Sequence, residues 1–265
     1  MIKFFQMDKI NYIFPAAGKG QRFRDVGIDT PKPLILANEI PLLVWAISNF
    51  DIKDSDQIWI ICLKSHGIRE FFTINYPSLS KRIKFIEISE ITTGPATTVS
   101  LAVKEIDDSE SIIVANTDQY VFADLKDFSN SVRNREFEGD ILTMNATGNQ
   151  WSYLTKNSKN LVDYVVEKEQ ISDEATVGIY GFGKSIYFKK SYEKMVNLND
   201  RVNNEYYVAP LYNYMIKDNQ KIASHNIGKV GVQVMGTGVP TDLSIFKNDP
   251  RIENLKTLII NRLLI

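Results

Sequence analysis

The chain predicts an α/β fold in which a mostly parallel sheet carries helices on both faces. Three observations lead there. Short apolar runs alternate with stretches of helical spacing, a glycine-rich turn follows the first run, and an aspartate follows another. Strands separated by helical patterns imply crossover connections, and hence a sheet covered on both sides. Ligands of such sheets collect beyond the carboxyl ends of the strands, where the strand order switches. Both the glycine turn and the aspartate fall at such ends.

The first strand is Asn11-Tyr12-Ile13-Phe14, followed by Pro15-Ala16-Ala17-Gly18-Lys19-Gly20-Gln21-Arg22-Phe23. Small residues from Ala16 and Ala17 to Gly18 and Gly20 let backbone N–H groups converge, which is how a chain cradles phosphate oxygens. Arg22 offers a planar guanidinium fork, and Lys32, within Pro31-Lys32-Pro33-Leu34, adds a compact charge. A dinucleotide fingerprint needs a third glycine where Phe23 stands, and a helix straight after the turn. Pro31 and Pro33 interrupt the stretch that this helix and the next strand would occupy. A P-loop needs Gly-Lys-Ser/Thr, which Gly18-Lys19-Gly20 is not. A long irregular loop with two cations remains, a length usually reserved for function. It reads as a nucleotide-phosphate site.

After the loop the spacing predicts a helix over 41–50, a strand around Ile58 and a helix near 68–72. A strand over 83–88 follows, then a helix over about 97–106 with Thr97 or Thr98 as N-cap. Ser111-Ile112-Ile113-Val114-Ala115 is the next buried run, and Asn116-Thr117-Asp118-Gln119 closes it. A carboxylate there can bind Mg²⁺, which needs only one or two protein oxygens beside phosphates and water. The same residues also suit an Asx-turn. In the second half an alternating strand from Val162 ends in Glu167-Lys168, and the strand 175–182 contains Gly178. Glycine inside a strand often marks close approach by a ligand or another backbone. The run 252–264 has Leu255, Leu258, Ile259 and Leu263 at helical spacing, suited to docking on the domain or on a partner subunit.

Composition narrows the function classes. The 265 residues are 44% hydrophobic and 24% charged with net charge −1, enough for a single large domain over 1–265. Near-neutral charge leaves no footprint for nucleic acid. No apolar run approaches the ~20 residues that span a bilayer, and Met1-Ile2-Lys3-Phe4-Phe5-Gln6 lacks the pattern of a signal peptide. A cytoplasmic location is the expectation. The single cysteine, Cys62, lies in a buried-strand pattern and reads as core. His66 and His225 belong to no motif, and the plentiful aromatic residues sit mostly in strand patterns, as core packing requires.

Taken together, Gly18, Gly20, Arg22, Pro31 and Lys32 resemble the signature of the sugar-phosphate nucleotidyltransferases, which include glucose-1-phosphate thymidylyl- and uridylyltransferases. The likeness extends over about residues 11–248 and is greatest to bacterial members found with capsule and surface-polysaccharide genes. It implies a Rossmann-like mixed sheet, with a nucleotide half over 11–150, an acceptor half over 151–248 and a C-terminal helix over 249–265. It implies that Arg22 holds a triphosphate, that Lys32 sits beside its α-phosphate, and that Asp118 is the principal Mg²⁺ ligand. Gly94, in Thr92-Thr93-Gly94-Pro95-Ala96-Thr97-Thr98, matches the glycine that makes room for the base, with Thr98 as a second contact. Glu167 and Lys168 match residues that touch an acceptor hydroxyl and phosphate, and Gly178 one that leaves the acceptor room. Glu205, in Glu205-Tyr206-Tyr207, matches an acid of the acceptor pocket or of metal support.

One motif departs from the family. In the stretch 234–243, Gly236 stands where an aspartate commonly gives a second metal contact, while Asp242 matches a later acid that helps start a helix. The implied reaction moves a nucleoside monophosphate from a triphosphate to a sugar phosphate, giving a nucleoside diphosphate sugar and pyrophosphate. An acceptor phosphate, with its second pKa near about 6, is already nucleophilic at neutral pH. No general base is required. The implied partners are a nucleoside triphosphate and a phosphorylated small molecule, with neither nucleic acid nor membrane, and a homo-oligomer stays open. Rival readings are a cytidylyltransferase for a small non-sugar phosphate, a metal-dependent glycosyltransferase and a non-catalytic nucleotide-binding regulator. The residues name neither the base nor the acceptor.

Overall fold

The computed structural model describes residues 9–263, so the readings of Met1–Gln6 and of the last two residues lie outside the described residues. β1 (Ile10–Ala16) runs into α1 (Gln21–Arg24), a single turn. A short ribbon, β2 (Leu36–Ala37) with β3 (Ile40–Pro41), leads to α2 (Leu42–Ile47). Then come β4 (Gln57–Leu63), α3 (Ile68–Asn75), α4 (Pro77–Ser80), β5 (Ile83–Ile88), α5 (Pro95–Val103), β6 (Ser111–Ala115) and β7 (Gln119–Val121). The second half holds α6 (Lys126–Asn134), β8 (Gly139–Asn145), β9 (Ser152–Lys156), β10 (Val162–Glu167), β11 (Glu174–Phe182), α7 (Ser185–Asn197) and α8 (Leu211–Lys217). β12 (Ile222–Lys229), β13 (Val234–Gly236), α9 (Pro240–Lys247) and α10 (Arg251–Leu263) complete it.

The main sheet has the order β10-β9-β11-β6-β1-β4-β5, with β8 also paired to β11 and β12 beyond it. β6, β1, β4 and β5 run parallel, with Ile13 opposite both Trp59 and Val114. β11 is antiparallel to β6, β8 and β9. The sheet is therefore mixed and largely parallel, with helices against it, as the sequence predicts. The chain builds outward from β1 through β4 to β5, then returns to the other side of β1 with β6. That reversal opens a crevice beyond the carboxyl ends of β1 and β6.

β1 is buried on both faces, which explains its apolar run from Tyr12 to Ala16. Tyr12 and Phe14 face Phe50, with ring centroids 5.0 and 6.3 Å apart, and share their core layer with Trp45 of α2. Ile13 faces the opposite layer with Val99 and Val103 of α5. Every residue of α2 is apolar and buried, so this helix lies in the core rather than on it. Its start was expected at 41, but Pro41 pairs with Leu36 in the ribbon. A buried ion pair ties the layers, with Arg133 of α6 donating to both Asp56 oxygens at 2.8 and 2.7 Å.

Candidate active site

The glycine loop is shaped by one left-handed residue. Gly20 has φ 65° and caps α1, and the Phe23 and Arg24 N–H groups donate to its carbonyl at 3.0 and 3.3 Å. Phe23, 1% exposed, anchors the turn in the core. A one-turn helix thus stands where an irregular loop was expected. Lys32 opens a 3₁₀ turn that runs to Leu34, closed by Leu34 N–H donating to Pro31 O at 2.8 Å. A Cβ added to Gly20 would lie 3.4 Å from Lys32 Cβ. The glycine therefore lets the first half of the loop pack against the second, although the two cations are ten residues apart in sequence.

Across the crevice, the segment after β6 meets this loop. Lys32 Nζ lies 3.0 Å from Asp118 Oδ2, and that ammonium charge is the main cause holding the Asp118 carboxyl below the usual carboxylate range. Burial works against it, and Arg22 adds a smaller pull in the same direction. The Asp118 carbonyl accepts from Thr237 N–H at 2.7 Å, and a Cβ on Gly238 would sit 3.0 Å from Asp118 Oδ2. The segment before α9 therefore forms the wall behind the carboxylate.

These groups surround one cavity of about 680 Å³. Ala16, Ala17, Gly18, Gly20, Arg22 and Lys32 line one side of it, and Gly94, Thr98, Asp118 and Glu205 complete it. Lys19, Thr92, Asn116, Thr117 and Gly238 line it too and were not nominated from sequence. Gly238 was legible, because the glycine of the 234–243 motif falls on it. A second cavity, of about 600 Å³, between the β7 region and α10 contains none of the nominated residues.

The glycines have more local duties than the ones expected. A Cβ on Gly94, at φ 133°, would be 2.5 Å from Tyr206 N, so the space it leaves is filled by the Tyr206 backbone. Gly94 also caps α5, which begins at Pro95 rather than at Thr97. Thr98 lies inside that helix, its hydroxyl 2.6 Å from that of Thr92. At Gly178, φ 83°, a Cβ would meet Asn116 Nδ2 at 2.2 Å. The room it leaves is taken by an asparagine that lines the cavity.

Glu167, Lys168 and Gly178 do not line the cavity themselves. Glu167 accepts from the Ser152 hydroxyl, and burial pushes its carboxyl up, opposed by that bond and by Lys168, and reinforced by Glu205. Lys168 Nζ donates to the Tyr207 phenol, which donates to Glu205 Oε2 at 2.6 Å. Glu205 is thus the junction between cavity and β10. Tyr207 escaped the sequence reading, although it stands in the Glu205-Tyr206-Tyr207 element. His225 bonds buried Asp140 at 2.8 Å, burial pushes His66 down, and Cys62 is buried with its thiol pushed up to about 12.

Among the described residues no three His, Cys, Asp or Glu gather into a metal cluster. Asp118 beside a cationic, phosphate-sized loop suits an ion that arrives with phosphate ligands, since Mg²⁺ needs few protein oxygens. A Cβ on Gly236 would lie 3.1 Å from Asp242 Oδ2, so the Asp242 carboxylate, in the first turn of α9, folds against that glycine.

Residues 13–221 match the model of the nucleotidyl transferase family. The chain belongs to that family. Its reaction class joins a nucleoside monophosphate, taken from a triphosphate, to an acceptor phosphate with release of pyrophosphate. Among solved structures the transferase is similar to a nucleoside-diphosphate-sugar pyrophosphorylase from Vibrio cholerae RC9, with TM-score 0.78 and 25% identity over 90% of this chain and 100% of that one. An inositol-1-phosphate CTP transferase from T. maritima shares the fold, with TM-score 0.68 and 14% identity over 97% and 98% of the two chains. No curated protein matches the chain. No described helix of the transferase is long and apolar enough to cross a membrane.

Proposed function

We propose that this transferase moves a nucleoside monophosphate onto a sugar phosphate, giving a nucleoside diphosphate sugar of the kind used for capsule or surface polysaccharide. The observation that supports it most is the meeting of Arg22, Lys32 and Asp118 around one cavity floored by the glycine loop. The backbone N–H groups of the loop and Arg22 would bind the β- and γ-phosphates, leaving Lys32 at the α-phosphate. In-line attack by the acceptor oxygen forms the new P–O bond as the bond to pyrophosphate breaks. Lys32 would balance charge that gathers on the α-phosphate oxygens in that transition state, where preorganised donors act most strongly. Asp118 would hold Mg²⁺, which supplies charge neutralisation at the phosphates when bound. On the acceptor side, Glu167 would orient a hydroxyl and Lys168 the phosphate, so chemistry proceeds by positioning rather than by proton abstraction.

Residues 11–150 would then serve the nucleotide and 151–248 the acceptor. Pyrophosphate release tests this reading, with the four common ribonucleoside triphosphates and dTTP screened against phosphorylated metabolites that include sugar 1-phosphates and small amino-alcohol phosphates. Release with a sugar phosphate supports the proposal. Release only with an amino-alcohol phosphate favours the small-acceptor cytidylyltransferase, and nucleotide binding without release favours a regulator.

A further inference from the structure

Lys168 stands outside the cavity but is firmly held. Its φ of 60° is a left-handed conformation that residues with a side chain rarely adopt, and its N–H donates to Trp151 O at 2.9 Å. Its ammonium donates to the Tyr207 phenol oxygen and lies 4.4 Å from the centroid of that ring. The phenol passes the link on to Glu205, which lines the cavity.

We propose that Tyr207 is a positioning residue, fixing the Lys168 ammonium for an incoming phosphate monoester and tying it to the rim of the nucleotide cavity through Glu205. This deepens the reading above and rests on Lys168 as the phosphate contact. A lysine side chain has large rotamer freedom, and ordering it before the ligand arrives removes that cost from binding. The ammonium has three donors. Tyr207 takes one and leaves two for phosphate oxygens. A phenol suits this duty better than a carboxylate, because it holds the cation without neutralising it, while the ring adds cation–π attraction. Burial, then the bond to Glu205, pushes the Tyr207 phenol above its ordinary range, so it stays neutral and keeps donating.

The test reads Lys168 directly, in lysine ammonium ¹H–¹⁵N spectra of the full chain, with its signal assigned by loss in Lys168→Met and inorganic phosphate as the probe. In the wild type the signal is expected to be protected from exchange and to shift on phosphate addition. In Tyr207→Phe, which keeps the ring, protection should vanish and half-saturation should need about tenfold more phosphate, as for one lost hydrogen bond to a charged group. Glu205→Gln should weaken both effects in the same direction, and it decides the matter should the Phe variant fail to fold. Wild-type protection and phosphate response in these variants would overturn the role of Tyr207 alone. A Lys168 signal that ignores phosphate in the wild type would overturn the Lys168 assignment together with it.

Discussion

Lys32 and Asp118 join the two loops through a 3.0 Å ion pair. Lys32→Ala should lower kcat by about 10²- to 10³-fold, the usual scale for removing a transition-state charge partner, with only a modest change in nucleotide affinity by calorimetry. Unchanged turnover would remove Lys32 from the mechanism. Gly238→Ala probes the opposite wall, since its Cβ would crowd Asp118 Oδ2 at 3.0 Å. Activity should fall while the thermal midpoint stays close to wild type, because the crowded atom belongs to a partly exposed side chain. Glu167 gives a pH prediction. Its folded-state pKa is raised by burial, so ionising it costs stability, and that cost grows as pH rises from the unfolded value near about 4.3 through the folded one. Glu167→Gln lacks this titration. Its thermal midpoint relative to wild type should therefore climb between pH 4 and pH 8, and a constant difference would show that the carboxyl is not perturbed.

At the level of elements, apolar strands were legible and glycine-capped starts were not. β1, β4 and β6 read directly, because strands buried on both faces are near-continuous apolar runs, and the edge strand β5 reads from Ile83, Phe85, Ile86 and Ile88, interrupted by exposed Lys84 and Glu87. β8 and β12 do not read as such. Asp140 interrupts the first and Ser224-His225-Asn226 the second, with His225 bonded to Asp140 at 2.8 Å and Asn226 donating to Asn145 Oδ1 at 3.0 Å. The start of α5 was misplaced because threonines are good N-caps in general, whereas here Gly94 takes the cap so that the Tyr206 backbone can approach. Gly94→Ala should consequently cost about 2 kcal/mol or more, from a backbone conformation open essentially to glycine plus a backbone collision. Chemical denaturation checks this, and a loss below about 0.5 kcal/mol would contradict the close approach. The C-terminal helix follows the predicted docking only in part: Ile252, Ile259 and Leu263 are buried, but Leu258 is half exposed.

For the whole molecule, the order of strands matters more than any single motif. Glycine loop and aspartate are about a hundred residues apart in sequence, and the return of the chain to the far side of β1 puts them face to face. That placement could be inferred from the alternation of strands and helices. The second half of the chain was less legible, because Lys168 is linked to the cavity through Tyr207 and Glu205, a contact between distant segments. The buried Arg133–Asp56 pair helps hold the same framework, since Asp56 also accepts from Ile10 N–H at the start of β1. Arg133→Met should destabilise the fold by about 3–5 kcal/mol, by stranding a buried carboxylate. The double variant with Asp56→Asn, which removes the charge but keeps an acceptor for the Ile10 N–H, should recover part of that loss in urea titration.

The most direct measurement is a crystal structure with nucleoside triphosphate and Mg²⁺ bound. Phosphates are expected on the loop from Ala17 to Gly20, with Arg22 and Lys32 in contact with them and Asp118 at the ion. A triphosphate seated elsewhere, with the 3.0 Å Lys32–Asp118 pair kept, would contradict this assignment.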